Sequence, residues 1–175
     1  MQFHKPYVQC FTIVSVFVIV VSTISGMSTA KAGGVGISPP PSQSAASEFP
    51  PGSPQLINPE DLVTLLHGAK DQKPLILNVG PSLIYMQAHI PGSEYVGAGS
   101  TPQGIESLRH RVKTLPRKTF IVLYCGCCPW NHCPNVRPAY DELHKQGFTN
   151  VKVLYIADNF GTNWVDKGYP TIQGQ

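Results

Sequence analysis

Thr119-Phe120-Ile121-Val122-Leu123-Tyr124-Cys125-Gly126-Cys127-Cys128-Pro129-Trp130-Asn131-His132-Cys133-Pro134-Asn135 joins the plainest strand of the chain to its densest group of reactive side chains. Residues 119–124 form a short apolar, β-branched and aromatic run, which fits a strand buried on both faces of a parallel sheet. Asn135 reads as the N-cap of a following helix, with Pro138 in the first turn, where its missing N–H is no loss. Val136, Ala139, Tyr140 and Leu143 then share one helical face. Gly147 reads as the residue just past the helix end, with His144 and Lys145 in its last turn.

Outward from this unit the alternation continues. Downstream, residues 151–155 read as a strand and 160–167 as a short helix. Upstream, residues 74–79 read as a buried strand, 82–88 as a short helix, 89–92 as a turn and 94–97 as a short strand. Thr101 and Pro102 offer a cap and an N1 proline to a helix carrying Ile105, Leu108, Val112 and Leu115. Asn58-Pro59-Glu60-Asp61 starts another in the same way, with Leu62, Leu65 and Leu66 on one face up to Gly68. Strands alternating with helices predict an α/β fold, a parallel sheet flanked by helices on both faces.

The N-terminus reads differently. A short basic start (His4, Lys5), an apolar core over 11–21 and a small-residue exit at Ala30-Lys31-Ala32 describe a secretory signal peptide over 1–32. The uncharged span 6–30 is also long enough for an uncleaved membrane anchor. Residues 33–55 are largely Gly, Pro and Ser and read as a disordered tether; the folded domain is expected over 56–175. The protein is therefore expected to be exported, periplasmic or extracellular, touching a membrane only through an uncleaved N-terminal segment. Removing Lys5 and Lys31 from the 13 basic side chains leaves 11 against 10 acidic ones, a formal charge of +1. With no basic stripe and no interleaved aromatics, nucleic acid is not an expected partner.

Of the 5 cysteines, Cys10 lies in the leader and the other four crowd into one loop. A disulfide framework would spread its cysteines to staple distant segments, so this spacing points to local chemistry. A loop from the C-terminal edge of a parallel strand into a helix N-terminus is where α/β folds place ligands. Unpaired N–H groups and the helix dipole favour thiolates and anions there, and a cysteine in such a place is made nucleophilic. Gly126 permits a tight turn and close approach of a bound anion.

Four stretches resemble the rhodanese-like domain family in order and spacing: residues 75–80 (Leu-Ile-Leu-Asn-Val-Gly), 88–93 (Ala-His-Ile-Pro-Gly-Ser), 120–125 (Phe-Ile-Val-Leu-Tyr-Cys) and 164–170 (Trp-Val-Asp-Lys-Gly-Tyr-Pro). The resemblance implies a sulfurtransferase or persulfide carrier. Cys125 would be the nucleophile, taking sulfane sulfur from a small anionic donor and passing it to a thiophilic acceptor. Loop amides from Gly126 onward would cradle the outer sulfur and the donor oxygens, with His132 and Arg137 aiding binding of the anion. No organic cofactor is implied. Asn78 and Gly80 stand where the family carries Asp and Arg.

Three readings of the loop stay open at this level. Cys133, beside the helix start, is an alternative nucleophile, and Cys127 or Cys128 could serve as nucleophile or as resolving partner. A thiol–disulfide redox protein would use the same side chains. A metal module would use Cys125, Cys127, Cys128 and Cys133 as soft ligands, although their spacing is not that of a zinc ribbon. A phosphatase loop is disfavoured, because Arg137 lies too far from Cys125 to close a Cys-x5-Arg wrap. His89 reads as a structural histidine, Trp164 and Tyr169 as core, and Arg109, Arg111 and Lys113 as a solvated helix face.

Overall fold

The computed structural model describes residues 49–69 and 72–174; the expected leader and most of the expected tether lie outside them. Five strands form one all-parallel sheet: β1 (Leu56–Ile57), β2 (Leu75–Asn78), β3 (Glu94–Tyr95), β4 (Ile121–Tyr124) and β5 (Val151–Leu154), in the spatial order β1-β5-β4-β2-β3. The four principal helices are α1 (Pro59–His67), α2 (Ser82–Gln87), α3 (Pro102–Val112) and α4 (Val136–Lys145). Two-residue β1 was not legible in the sequence, because so short a segment carries no periodicity. The helix expected over 160–167 is a single wide turn, Gly161–Val165.

Strand alternation divides the core into two layers. Leu77, Ile121, Leu123 and Cys125 face one layer with Leu108 and Val112 of α3 and Val136, Ala139 and Leu143 of α4. Ile76, Val122 and Tyr124 face the other with Leu62 of α1, Phe160 and Trp164. Both faces are thus covered, which is why β4 is buried at every position.

Three details depart from the sequence reading. Phe49, inside the expected tether, is only 6% exposed; it packs edge-on against Tyr140 and its carbonyl accepts from Trp130 Nε1 at 3.0 Å. Arg109 and Lys113 are exposed, as expected of a solvated face, and Arg111 is half-buried, but both arginines are held in ion pairs. Arg109 makes two hydrogen bonds to Glu142, tying α3 to α4, and Arg111 grips Glu94 at β3. Asn135, expected as a cap, has helical φ and ψ and no capping bond, because its side chain is turned into the cysteine loop. Thr101, by contrast, caps α3 by accepting from Gly104 N at 3.0 Å.

The chain leaves β2 toward β3 on one side and β4 toward β5 on the other. In an open parallel sheet the crevice where connections diverge in this way is where ligands bind, outside the strand C-termini. Here that crevice lies between Asn78 and Tyr124, which stand in register.

Candidate active site

At the end of β4 the alternation that buries Leu123 also turns Cys125 inward, leaving it 2% exposed. Gly126 then bends the chain with φ +75°; a Cβ there would lie 2.7 Å from Cβ of Phe160, so only glycine fits. The loop is pinned to the neighbouring connection by Phe160 N donating to the Gly126 carbonyl and Trp130 N donating to the Ala157 carbonyl, both at 2.9 Å. A tight turn, Trp130–His132, carries it into α4. These bonds make the long cysteine loop a held structure.

The sulfurs form a chain. Sγ of Cys125 lies 3.2 Å from Sγ of Cys127, which lies 3.3 Å from Sγ of Cys128; the Cys128 thiol faces the His132 carbonyl at 3.6 Å. All four cysteines of the loop are free thiols. Asn135 Nδ2 donates to Cys125 at 3.4 Å and Cys127 at 3.6 Å. Its Oδ1 in turn accepts from the Ser100 amide and hydroxyl at 3.1 and 2.8 Å, which fixes the amide's orientation.

This arrangement separates the titrations. The Cys125 thiol donates to Cys127, and this bond, a further one with Cys133 and burial push its pKa far up. The same bond from Cys125, joined by others from Cys133, Cys128 and Asn135, holds Cys127 well below the ordinary thiol range despite partial burial. Burial, then bonding to Cys127, pushes Cys128 up to about 12. Among these thiols the hydrogen bonds favour Cys127 as the thiolate.

Cys127 also opens to solvent. With Gly126, Phe160, Gly161, Ala88 and Ile84 it lines a cleft of about 280 Å³. Of the expected site residues, the structure thus gathers Cys125, Gly126, Cys127 and Cys128, with Cys133 buried beside them. His132 reaches the cluster through its backbone carbonyl, while its side chain belongs to an exposed residue. Arg137 is drawn along α4 to Asp141 at 2.8 Å, with its guanidinium over the Phe49 ring.

Two contributors escaped the sequence reading. Asn135 reads from the sequence as a helix cap, and only its side-chain contacts show its tie to the sulfurs. Gly80 lies so close that a Cβ would meet Cys125 Sγ at 3.0 Å; its N–H donates to Asn78 Oδ1 at 3.0 Å. The sequence did signal this position, as the glycine standing where the related family carries arginine. Among the described residues, no group of three or more His, Cys, Asp or Glu is arranged to hold a metal ion, and no helix is long and apolar enough to cross a membrane.

A parallel sheet with a sulfur cluster at its switch point defines a cysteine-bearing α/β domain, and comparison supplies its family. Residues 58–155 match the rhodanese-like domain model, so the chain belongs to that family. No curated protein matches. Among solved structures it is similar to the Alr3790 protein from Anabaena sp., at 23% identity and TM-score 0.51, covering 67% of this chain and 92% of that one. It is also similar to the BH2092 protein from Bacillus halodurans, at 19% identity and TM-score 0.50, covering 67% and 76%. A third similar structure is a variant of EanB as a cysteine persulfide in a tetrahedral intermediate state with ergothioneine, at 20% identity and TM-score 0.50, covering 67% of this chain and 28% of that one. These likenesses concern the fold. Family membership supports sulfurtransferase-type activity in general.

Proposed function

We propose that the protein is a sulfurtransferase that carries sulfane sulfur as a persulfide on the Cys125–Cys127 pair. The observation that supports it is the 3.2 Å contact between these sulfurs at the end of β4, with Cys127 lining the cleft. Cys127 is the sulfur that meets the donor; Cys125 lies behind it as a thiol. The pair divides the role that the sequence reading gives first to Cys125, with Cys133, Cys127 and Cys128 as alternatives. With thiosulfate, the Cys127 thiolate attacks the outer sulfur. A Cys127 S–S bond forms, the donor's S–S bond breaks, and sulfite leaves with the electron pair. Asn135 Nδ2 and the glycine-lined rim steady the anionic sulfur. The leader expected over 1–32 would set this chemistry outside the cytoplasm.

The same sulfur pair supports a second reading, a dithiol–disulfide redox protein. Single-turnover incubation of the reduced protein with thiosulfate separates the two. Transfer releases about one sulfite per protein and the Cys127→Ser variant releases none. If neither thiosulfate nor a small organic persulfide yields sulfur transfer while the thiols still cycle with a disulfide, the redox reading takes its place.

A further inference from the structure

We propose that a persulfide formed here is resolved inside the loop, by Cys125 attacking Cys127, so that the protein releases hydrogen sulfide and depends on a dithiol reductant as its acceptor. This rests on the sulfurtransferase reading above and names the acceptor class for that site. A carrier that hands its sulfur to an external acceptor is best served by a persulfide with no competing thiol. Here a thiol is already in place. Cys125 Sγ must move only about 1 Å to bond with Cys127, given a disulfide length of about 2.05 Å. With 2% exposure Cys125 is shielded from a bulky external partner, yet it touches Cys127. A resident group of this kind outcompetes a dilute external one by proximity.

The bookkeeping of atoms closes. The Cys125 sulfur bonds to the inner sulfur at Cys127, the inner–outer S–S bond breaks, and the outer sulfur departs with the electron pair. The proton from the Cys125 thiol goes with it as HS⁻. The resulting Cys125–Cys127 disulfide is two electrons more oxidised than the thiols, and an external dithiol returns it by becoming a disulfide itself. Cys128 is a poorer resolver for Cys127 despite its 3.3 Å contact. Adjacent residues have Cα atoms about 3.8 Å apart across a trans peptide, inside the roughly 4.4 Å that disulfides require. Gly126, with φ +75°, already folds the chain between Cys125 and Cys127 into the bend that brings their sulfurs together.

The test is a single turnover of the reduced full chain with stoichiometric thiosulfate and no reductant, following sulfite, sulfide, free thiols and intact mass. The expected wild-type result is sulfite and sulfide in roughly equal amounts, a loss of two thiols and a mass about 2 Da below the reduced protein. Cys125→Ser is expected to release sulfite, retain a persulfide of about +32 Da and give no sulfide until a dithiol is added. Sulfite release with a lasting +32 Da adduct and no sulfide from the wild type overturns internal resolution and leaves sulfur transfer standing. Sulfide from Cys125→Ser at the wild-type rate also overturns it. Absence of sulfite from both proteins defeats the sulfurtransferase reading itself. The wild-type time course decides the matter even if the variant folds poorly.

Discussion

Gly80 and Cys125 stand so close that a side-chain carbon at position 80 would lie 3.0 Å from the Cys125 sulfur and 3.4 Å from its carbonyl oxygen. A side chain at residue 80 would thus press on the sulfur cluster and require Cys125 to give by a few tenths of an ångström. Gly80→Ala is expected to displace Cys125, to cost about 1 to 2 kcal/mol of stability and to slow sulfur transfer about tenfold. Urea unfolding and single-turnover kinetics check both. Wild-type values in each would show that the contact constrains nothing.

Asn135 offers its Nδ2 to two sulfurs while Ser100 holds its oxygen. Asn135→Asp keeps the shape and the Ser100 contact but places a carboxylate beside the Cys127 thiolate. The acid limb of the rate–pH curve for alkylation of the cluster by iodoacetamide should move to higher pH, because a carboxylate disfavours the neighbouring thiolate. Superimposable curves for the two proteins would remove Asn135 from the site.

Gly126 is tested by Gly126→Ala. The substitution forces a side chain into φ +75° and against Phe160 at 2.7 Å. A loss of about 3 kcal/mol in unfolding free energy is expected, together with greater exposure of Cys125 to thiol reagents. An unchanged urea midpoint would mean that the loop re-forms at little cost.

Acid sensitivity should originate partly at the α3–α4 contact. The Arg109 guanidinium bonded to Glu142, ahead of a smaller contribution from Gln146, holds the Glu142 carboxyl below its ordinary range. A carboxylate with a lowered folded pKa lends stability in full above its unfolded value of about 4.3 and loses it as pH falls through the folded value. The urea midpoint of the wild type should therefore fall with pH in that window. Glu142→Gln should show a lower midpoint at pH 7 and a flatter acid limb; a limb as steep as the wild type's would place the effect elsewhere.

Much of the fold was legible because its signals are local. Asn58-Pro59 and Thr101-Pro102 start α1 and α3 where expected, and Gly147, with φ +87°, follows the end of α4. The apolar runs at 74–79 and 119–124 contain β2 and β4. What escaped was short or depended on a distant partner. Two-residue β1 exists only through its pairing with β5, and Phe49 is core only because Trp130 and Tyr140 receive it.

The strand–loop–helix order, the parallel α/β architecture and the presence of four thiols where a ligand would bind are written in local stretches of chain, because periodicity, capping and spacing are carried by neighbouring residues. Which of those thiols is favoured as the thiolate follows from contacts made across the fold. That depends on Asn135 being turned by Ser100, 35 residues away, and on the space left by Gly80. Proton affinity is set by distances and burial between groups far apart in the chain, and the cysteine spacing alone could not tell Cys125 from Cys127.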